Sequence, residues 1–172
     1  MKVLKFGGSS LATPERVREM AAIVLARAKK QRSLIVVSAF QGVTNQLLES
    51  ARLAERNDPK TWELYEAICV RHRESVVKLL GRRGSTTRKK VDELLREYHD
   101  VLSGITLLRH CPSRAFDVVG SFGERLSSVV ISAYISRSRP SEAVDAREFI
   151  VTDDSYTHAT VLFDKTNPKI KE

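Results

Sequence analysis

Residues 2–10 read Lys2-Val3-Leu4-Lys5-Phe6-Gly7-Gly8-Ser9-Ser10. Apolar Val3, Leu4 and Phe6 followed by paired glycines predict a short buried strand that ends in a tight loop. Thr13-Pro14-Glu15 then offers a capping hydroxyl, a proline at the first helical position and an acid where the helix dipole favours one. Val17, Met20, Ala21, Val24, Leu25 and Ala28 recur at helical spacing, so the helix is expected to run to about Gln31. Ser33 to Ala39 (Ser-Leu-Ile-Val-Val-Ser-Ala) is the continuous β-branched run of a central parallel strand covered on both faces. Strand, helix and strand in that order imply a right-handed crossover and an α/β fold.

Downstream, Phe40-Gln41-Gly42 turns the chain into a helix from about Val43 to Arg56, which Asn57-Asp58-Pro59 ends. Apolar spacing predicts two more helices, Lys60 to Leu80 and Val91 to Leu108, paired as an antiparallel hairpin over about 60–109. Ala115 to Gly120 reads as a short strand or strand-like entry, and Glu124 as lying at the start of a helix that Arg139-Pro140 ends. Glu142 to Ala146 reads as a strand and Phe149 to Thr152 as an extended piece. Residues 162–172 are polar and read as a linker-like tail, which leaves 1–161 as the folded unit.

The 172 residues are 42% hydrophobic, enough for a sizeable core, and no apolar run has the length of a membrane span. The first residues carry no secretory pattern, which predicts a cytoplasmic protein without a membrane partner. Two cysteines and four histidines show no metal-ligand spacing. The net charge is +8, densest at Arg82-Arg83-Gly84-Ser85-Thr86-Thr87-Arg88-Lys89-Lys90. That block has no interleaved aromatics for base stacking, so it is expected to be a solvated connector and nucleic acid is not an expected partner. A positive surface also suits small anionic substrates.

Three constellations could carry chemistry. In Lys5-Phe6-Gly7-Gly8-Ser9-Ser10, two glycines let the backbone approach a ligand and aim amides at phosphate oxygens, and Lys5 adds a positive charge. The segment matches neither the P-loop nor the dinucleotide fingerprint, and a plain strand-ending turn is the competing reading. Ser38-Ala39-Phe40-Gln41-Gly42-Val43-Thr44-Asn45 sits where open α/β sheets bind ligands, at a strand's C-terminal end and a helix start, although Thr44 could equally be only a cap. In Gly120-Ser121-Phe122-Gly123-Glu124-Arg125-Leu126-Ser127, a carboxylate near a helix start is more often a dipole partner than a ligand. All three could converge along one edge of the sheet.

These segments together resemble the aspartate kinases of the amino acid kinase fold. Lys5-Phe6-Gly7-Gly8-Ser9-Ser10 is similar to the family's opening K-F-G-G-T-S, with Ser9 for the usual Thr. Ser38-Ala39 with Gly42-Val43-Thr44-Asn45 resembles its second strand-to-helix segment, Gly123-Glu124-Arg125-Leu126-Ser127 its G-E motif, and Asp145-Ala146-Arg147-Glu148-Phe149-Ile150 with Thr152-Asp153-Asp154 a further stretch. The resemblance runs to about Val161. It implies a three-layer α/β/α fold of carbamate kinase type with a mainly parallel sheet, here truncated and carrying an inserted helical hairpin.

The resemblance also implies roles. Lys5 and the amides of Gly7 and Gly8 would bind the β- and γ-phosphates of ATP, with Lys5 as the catalytic residue. Ser9 and Ser38 would lie beside the transferring phosphoryl group; Thr44 and Glu124 would bind L-aspartate, Glu124 facing its ammonium group. With Mg²⁺, the β-carboxylate would attack the γ-phosphorus in line. The full-length enzyme would be a homo-oligomer. The family's later glycine-rich Ser-Asp segment and nucleotide-gripping Asp segment have no counterpart here, so an incomplete and poorly active fragment is expected. Two other readings remain: a non-catalytic interaction module acting through the hairpin and basic block, and a related kinase acting on glutamate, carbamate or uridine monophosphate.

Overall fold

A computed structural model describes residues 2–29 and 31–171. Strand β1 (Lys2–Phe6) and strand β2 (Ser33–Val37) pair in parallel, Lys2 opposite Ser33 and Phe6 opposite Val37, and Ser38 N–H extends the ladder to Phe6 O at 3.0 Å. Helix α1 (Pro14–Ala28) connects them. Its start follows from chemistry local to the sequence: Thr13 is extended and its Oγ1 accepts from Arg16 N–H at 3.4 Å, with Pro14 in the first turn. The expected extension to Gln31 passes through Lys30, which lies outside the described residues, as do Met1 and Glu172.

Only one face of this sheet is covered. Leu4, Phe6, Ile35 and Val37 pack on the core, whereas Val3, Leu34 and Val36 are 60%, 48% and 43% exposed. The apolar run of β2 therefore meets cover on one side, not on the two that its composition predicts.

Helices dominate the rest. α2 (Val43–Glu55), α3 (Lys60–Leu80), α4 (Ser85–Leu108) and α5 (Ser113–Ser136) pack together around Leu47, Ala51, Ile68, Leu95, Tyr98, Phe122 and Leu126, all essentially inaccessible. Asn57 takes a left-handed conformation (φ 54°) after α2, and Asp58 Oδ1 accepts from Lys60 N–H at 2.9 Å as α3 begins. Arg73 Nε on α3 donates to Asp92 Oδ1 on α4 at 2.7 Å. The charges of the basic block are exposed, as expected of a solvated connector, but the connector is helical: a 3-10 turn (Gly81–Gly84) leads straight into α4, which already contains Arg88, Lys89 and Lys90.

Three further expectations fail. Ala115–Gly120 is not a strand but part of α5, so Glu124 sits in mid-helix and not at a helix start. Glu142–Ala146 forms no strand; a 3-10 turn follows at Ala146–Glu148, held by Asp145 Oδ1 accepting from Arg147 N–H at 3.0 Å. In the extended piece, Thr152 makes a single antiparallel bridge to Val161. Where polar composition suggests a linker, Phe163–Lys171 form helix α6, docked by buried Thr166, whose Oγ1 accepts from Val151 N–H at 3.0 Å.

Candidate active site at the sheet edge

Because β1 and β2 are parallel, their C-terminal ends share one edge, and the loops that leave them meet there. Gly7 is extended, Gly8–Leu11 form a 3-10 turn closed by Ser10 N–H to Gly7 O at 3.0 Å, and Gly8 sits against Ala39 and Gln41. A Cβ on Gly8 would lie 3.5 Å from both Ala39 O and Gln41 Cα. Among the described residues no hydrogen bond uses the amides of Gly7, Gly8 or Ser9. These are the unpaired donors that the start of such a turn leaves, and they suit phosphate oxygens.

The second loop, Ser38–Gly42, carries the chain into α2. Gly42 takes φ +81°, a left-handed conformation costly for other residues, and no side chain caps α2. Thr44 lies in its first turn and faces a cleft of about 370 Å³, together with Leu48 on the same helix and Phe116, Asp117 and Glu124 on α5.

α5 crosses this edge at close range because Gly123 has no side chain. A Cβ there would lie 2.7 Å from Ala39 Cβ and 3.2 Å from Leu47 Cδ1. A turn earlier, a Cβ on Gly120 would come 3.4 Å from Leu48 Cδ2. The approach lets Glu124 Oε1 accept from Ala39 N–H at 3.2 Å, and Ser127 Oγ donate to Ser38 O at 2.8 Å. Among the described residues Glu124 forms no ion pair and its Oε2 accepts no hydrogen bond. Neighbouring Arg125 is turned elsewhere, to Glu97 at 2.7 Å, to Asp145 at 3.6 Å and over the Phe122 ring at 4.8 Å. A carboxylate oriented by one backbone amide, with a free oxygen and no cation beside it, is suited to an incoming ammonium group.

Of the residues singled out in the sequence, Gly8, Ser38, Thr44 and Glu124 are thus gathered at one edge. Lys5 and Ser9 are exposed beside it, Lys5 on the uncovered sheet face, and no hydrogen bond or ion pair joins Lys5 to the others. The structure gives tasks to three residues quoted in the motifs without a role, Ala39 orienting the carboxylate, Gly123 allowing the close approach and Ser127 tying α5 to Ser38 O, and adds Asp117, which lines the cleft. The spacing of Gly120, Gly123 and Ser127 along one helical face is the signal that could have found them. No group of three or more Asp, Glu, His or Cys among the described residues could hold a metal ion. No described helix is long and apolar enough to cross a membrane.

The edge of this α/β scaffold thus presents free amides with the chemistry to receive an anion and an oriented carboxylate with the chemistry to receive an amine. The sequence profile of the amino acid kinase family matches residues 1–170, and the chain belongs to that family. It is 32% identical to aspartokinase 2 (chloroplastic) of Arabidopsis thaliana over 99% of its own length, and 31% identical to the aspartokinase of Chlamydia trachomatis over 91%. The chain spans about a third of these relatives, 31% and 33% of their lengths. Among solved structures, Escherichia coli aspartokinase III in complex with aspartate and ADP matches 99% of this chain with a TM-score of 0.86 at 27% identity. The match covers 37% of that chain. The aspartate kinase of Clostridium acetobutylicum matches the whole chain with a TM-score of 0.75 at 25% identity, over 36% of its own length.

Proposed function

We propose that this chain supplies the phosphate-facing and acceptor-facing parts of a site that phosphorylates L-aspartate with ATP to give 4-phospho-L-aspartate, the first step towards lysine, threonine and methionine. The observation that carries the reading is Glu124, held on Ala39 N–H with a free oxygen in the cleft that Thr44 shares, next to the unpaired amides of Gly7 and Gly8. The aspartokinase names of the relatives and the aspartate and ADP of the Escherichia coli structure support it.

In this reading Glu124 takes the ammonium group of aspartate and Thr44 adds a hydroxyl in the same cleft. The Gly7 and Gly8 amides and Lys5 hold the phosphates, and Ser9 and Ser38 flank the transferring group. Fixed donors aimed at the developing charge lower the barrier without reorganising during the reaction. Mg²⁺ supplies further neutralisation of phosphate charge. No residue of this chain needs to become phosphorylated.

Isothermal titration tests the assignment. L-aspartate is expected to bind about tenfold more weakly after Glu124→Gln, the loss of one charged contact, and as before after Lys5→Ala, which weakens MgATP instead. Weaker binding of L-glutamate than L-aspartate is expected. Binding of neither aspartate nor MgATP would refute the reading. A second reading, a non-catalytic interaction module, draws on Arg82, Arg83, Lys89 and Lys90, all exposed. A salt-sensitive gel shift with RNA or DNA would favour it; none is expected at physiological salt.

A further inference from the structure

Residues 152–161 form a closed loop at the cleft. Thr152 and Val161 bridge its ends, reinforced by Asp153 N–H to Thr160 O at 3.0 Å and Leu162 N–H to Val151 O at 2.9 Å. Inside it, Asp153 Oδ1 accepts from Ser155 N–H at 3.0 Å and Thr160 N–H at 3.2 Å. The tip leaves this internal network. Thr157 N–H donates to Asp117 Oδ2 on α5 at 2.7 Å, across a long sequence separation.

The backbone at that point is strained. Thr157 has φ +69°, a left-handed conformation that a β-branched residue adopts only when its surroundings impose it. Asp117 lies about two helical turns before Glu124 on the same face of α5, and Asp117, Thr157, Thr44 and Glu124 all line the one cleft.

We propose that Asp117 is a positioning residue that latches Thr157 as a wall of the cleft, and that this wall limits the length of the amino acid Glu124 can hold. The proposal rests on the acceptor reading given above and adds its specificity determinant: a short dicarboxylic amino acid fits within the latched wall, and a longer one requires the wall to yield. Asp117 needs only an acceptor oxygen for this, not a charge.

Amide exchange at Thr157 and titrations with L-aspartate and L-glutamate, on the unsubstituted chain, Asp117→Ala and Asp117→Asn, test it. In Asp117→Ala, Thr157 exchange should accelerate and aspartate affinity fall, each about tenfold, as expected for one lost hydrogen bond to a charged group. Glutamate affinity should change less, so the preference narrows. Asp117→Asn, whose side-chain oxygen still accepts, should stay near the unsubstituted chain. Unchanged Thr157 exchange in Asp117→Ala would overturn the latch. Faster exchange with both affinities unchanged would overturn its role in the cleft, as would equal losses in the two variants. Should Asp117→Ala fail to fold, the unsubstituted chain decides: Thr157 must exchange at least about tenfold more slowly than Ala159, which has no hydrogen bond in the same loop, and equal rates would overturn the latch. Failure of the unsubstituted chain to bind aspartate would refute the acceptor reading, while the exchange result would still decide the latch.

Discussion

At Gly123 a methyl group would meet Ala39 Cβ at 2.7 Å, and neither partner is the end of a flexible chain that could swing aside. Gly123→Ala is therefore expected to push α5 away from the Ser38–Gly42 loop, at a cost of about 1–3 kcal/mol, and to break the contact of Glu124 with Ala39. Urea unfolding and aspartate titration should both register it. Ser50 Oγ donates to Leu47 O at 2.6 Å, so Tyr98 O–H must be the donor in its 2.6 Å contact with Ser50. Tyr98→Phe should then cost about 1 kcal/mol without altering aspartate binding. Gly8, Thr44 and Glu124 stood out in the sequence as members of motifs, each with a plain competing reading as a strand-ending turn, a helix cap or a dipole partner; that they meet at one sheet edge is visible only in the structure. Gly123 and Ala39 were quoted within those motifs, but their tasks, steric fit and backbone donation, are ones that no side-chain chemistry announces.

Among the elements, α5 shows why a local reading misled. Val118 and Val119 favour strand and Gly120 and Gly123 favour loop, yet Val119, Phe122, Leu126 and Val130 all bury on one helical face. Tertiary contact outweighs those propensities, and the glycines serve close packing instead of turning. Helix α3 carries an acid-sensitive feature. His72 is fully buried, stacks on Phe40 with centroids 5.2 Å apart and places Nδ1 2.7 Å from Ile68 O, while Nε2 is buried without a partner among the described residues. Burial pushes its pKa down to about 4, and Arg71 beside it acts in the same direction. The unfolded chain takes up this proton near pH 6.5 and the folded chain only near 4. Stability from neutral His72 is thus complete above about pH 6.5 and declines as the pH falls towards 4, by roughly 3 kcal/mol. Urea unfolding between pH 7 and 4 should show the decline, and His72→Phe, which keeps the ring stack, should flatten it.

Across the whole molecule, the crossover of β1, α1 and β2 and most helix positions were readable from periodicity and caps. What periodicity could not tell is how many faces of the sheet are covered: a continuous apolar run fits a doubly covered strand, and here Val3, Leu34 and Val36 stay open. Leu34→Ser should accordingly change stability by less than about 0.5 kcal/mol, whereas Ile35→Ala on the packed face should cost about 2 kcal/mol or more, both read from urea midpoints. Convergence of three sequence-distant segments on one sheet edge is the claim on which the functional account depends. Amide chemical shifts during titration with L-aspartate test it most directly. Ala39, Gly42, Thr44 and Glu124 are expected to shift together with one affinity, and Glu124→Gln to weaken the response at all four; shifts confined to another surface, or insensitive to that substitution, would contradict the convergence.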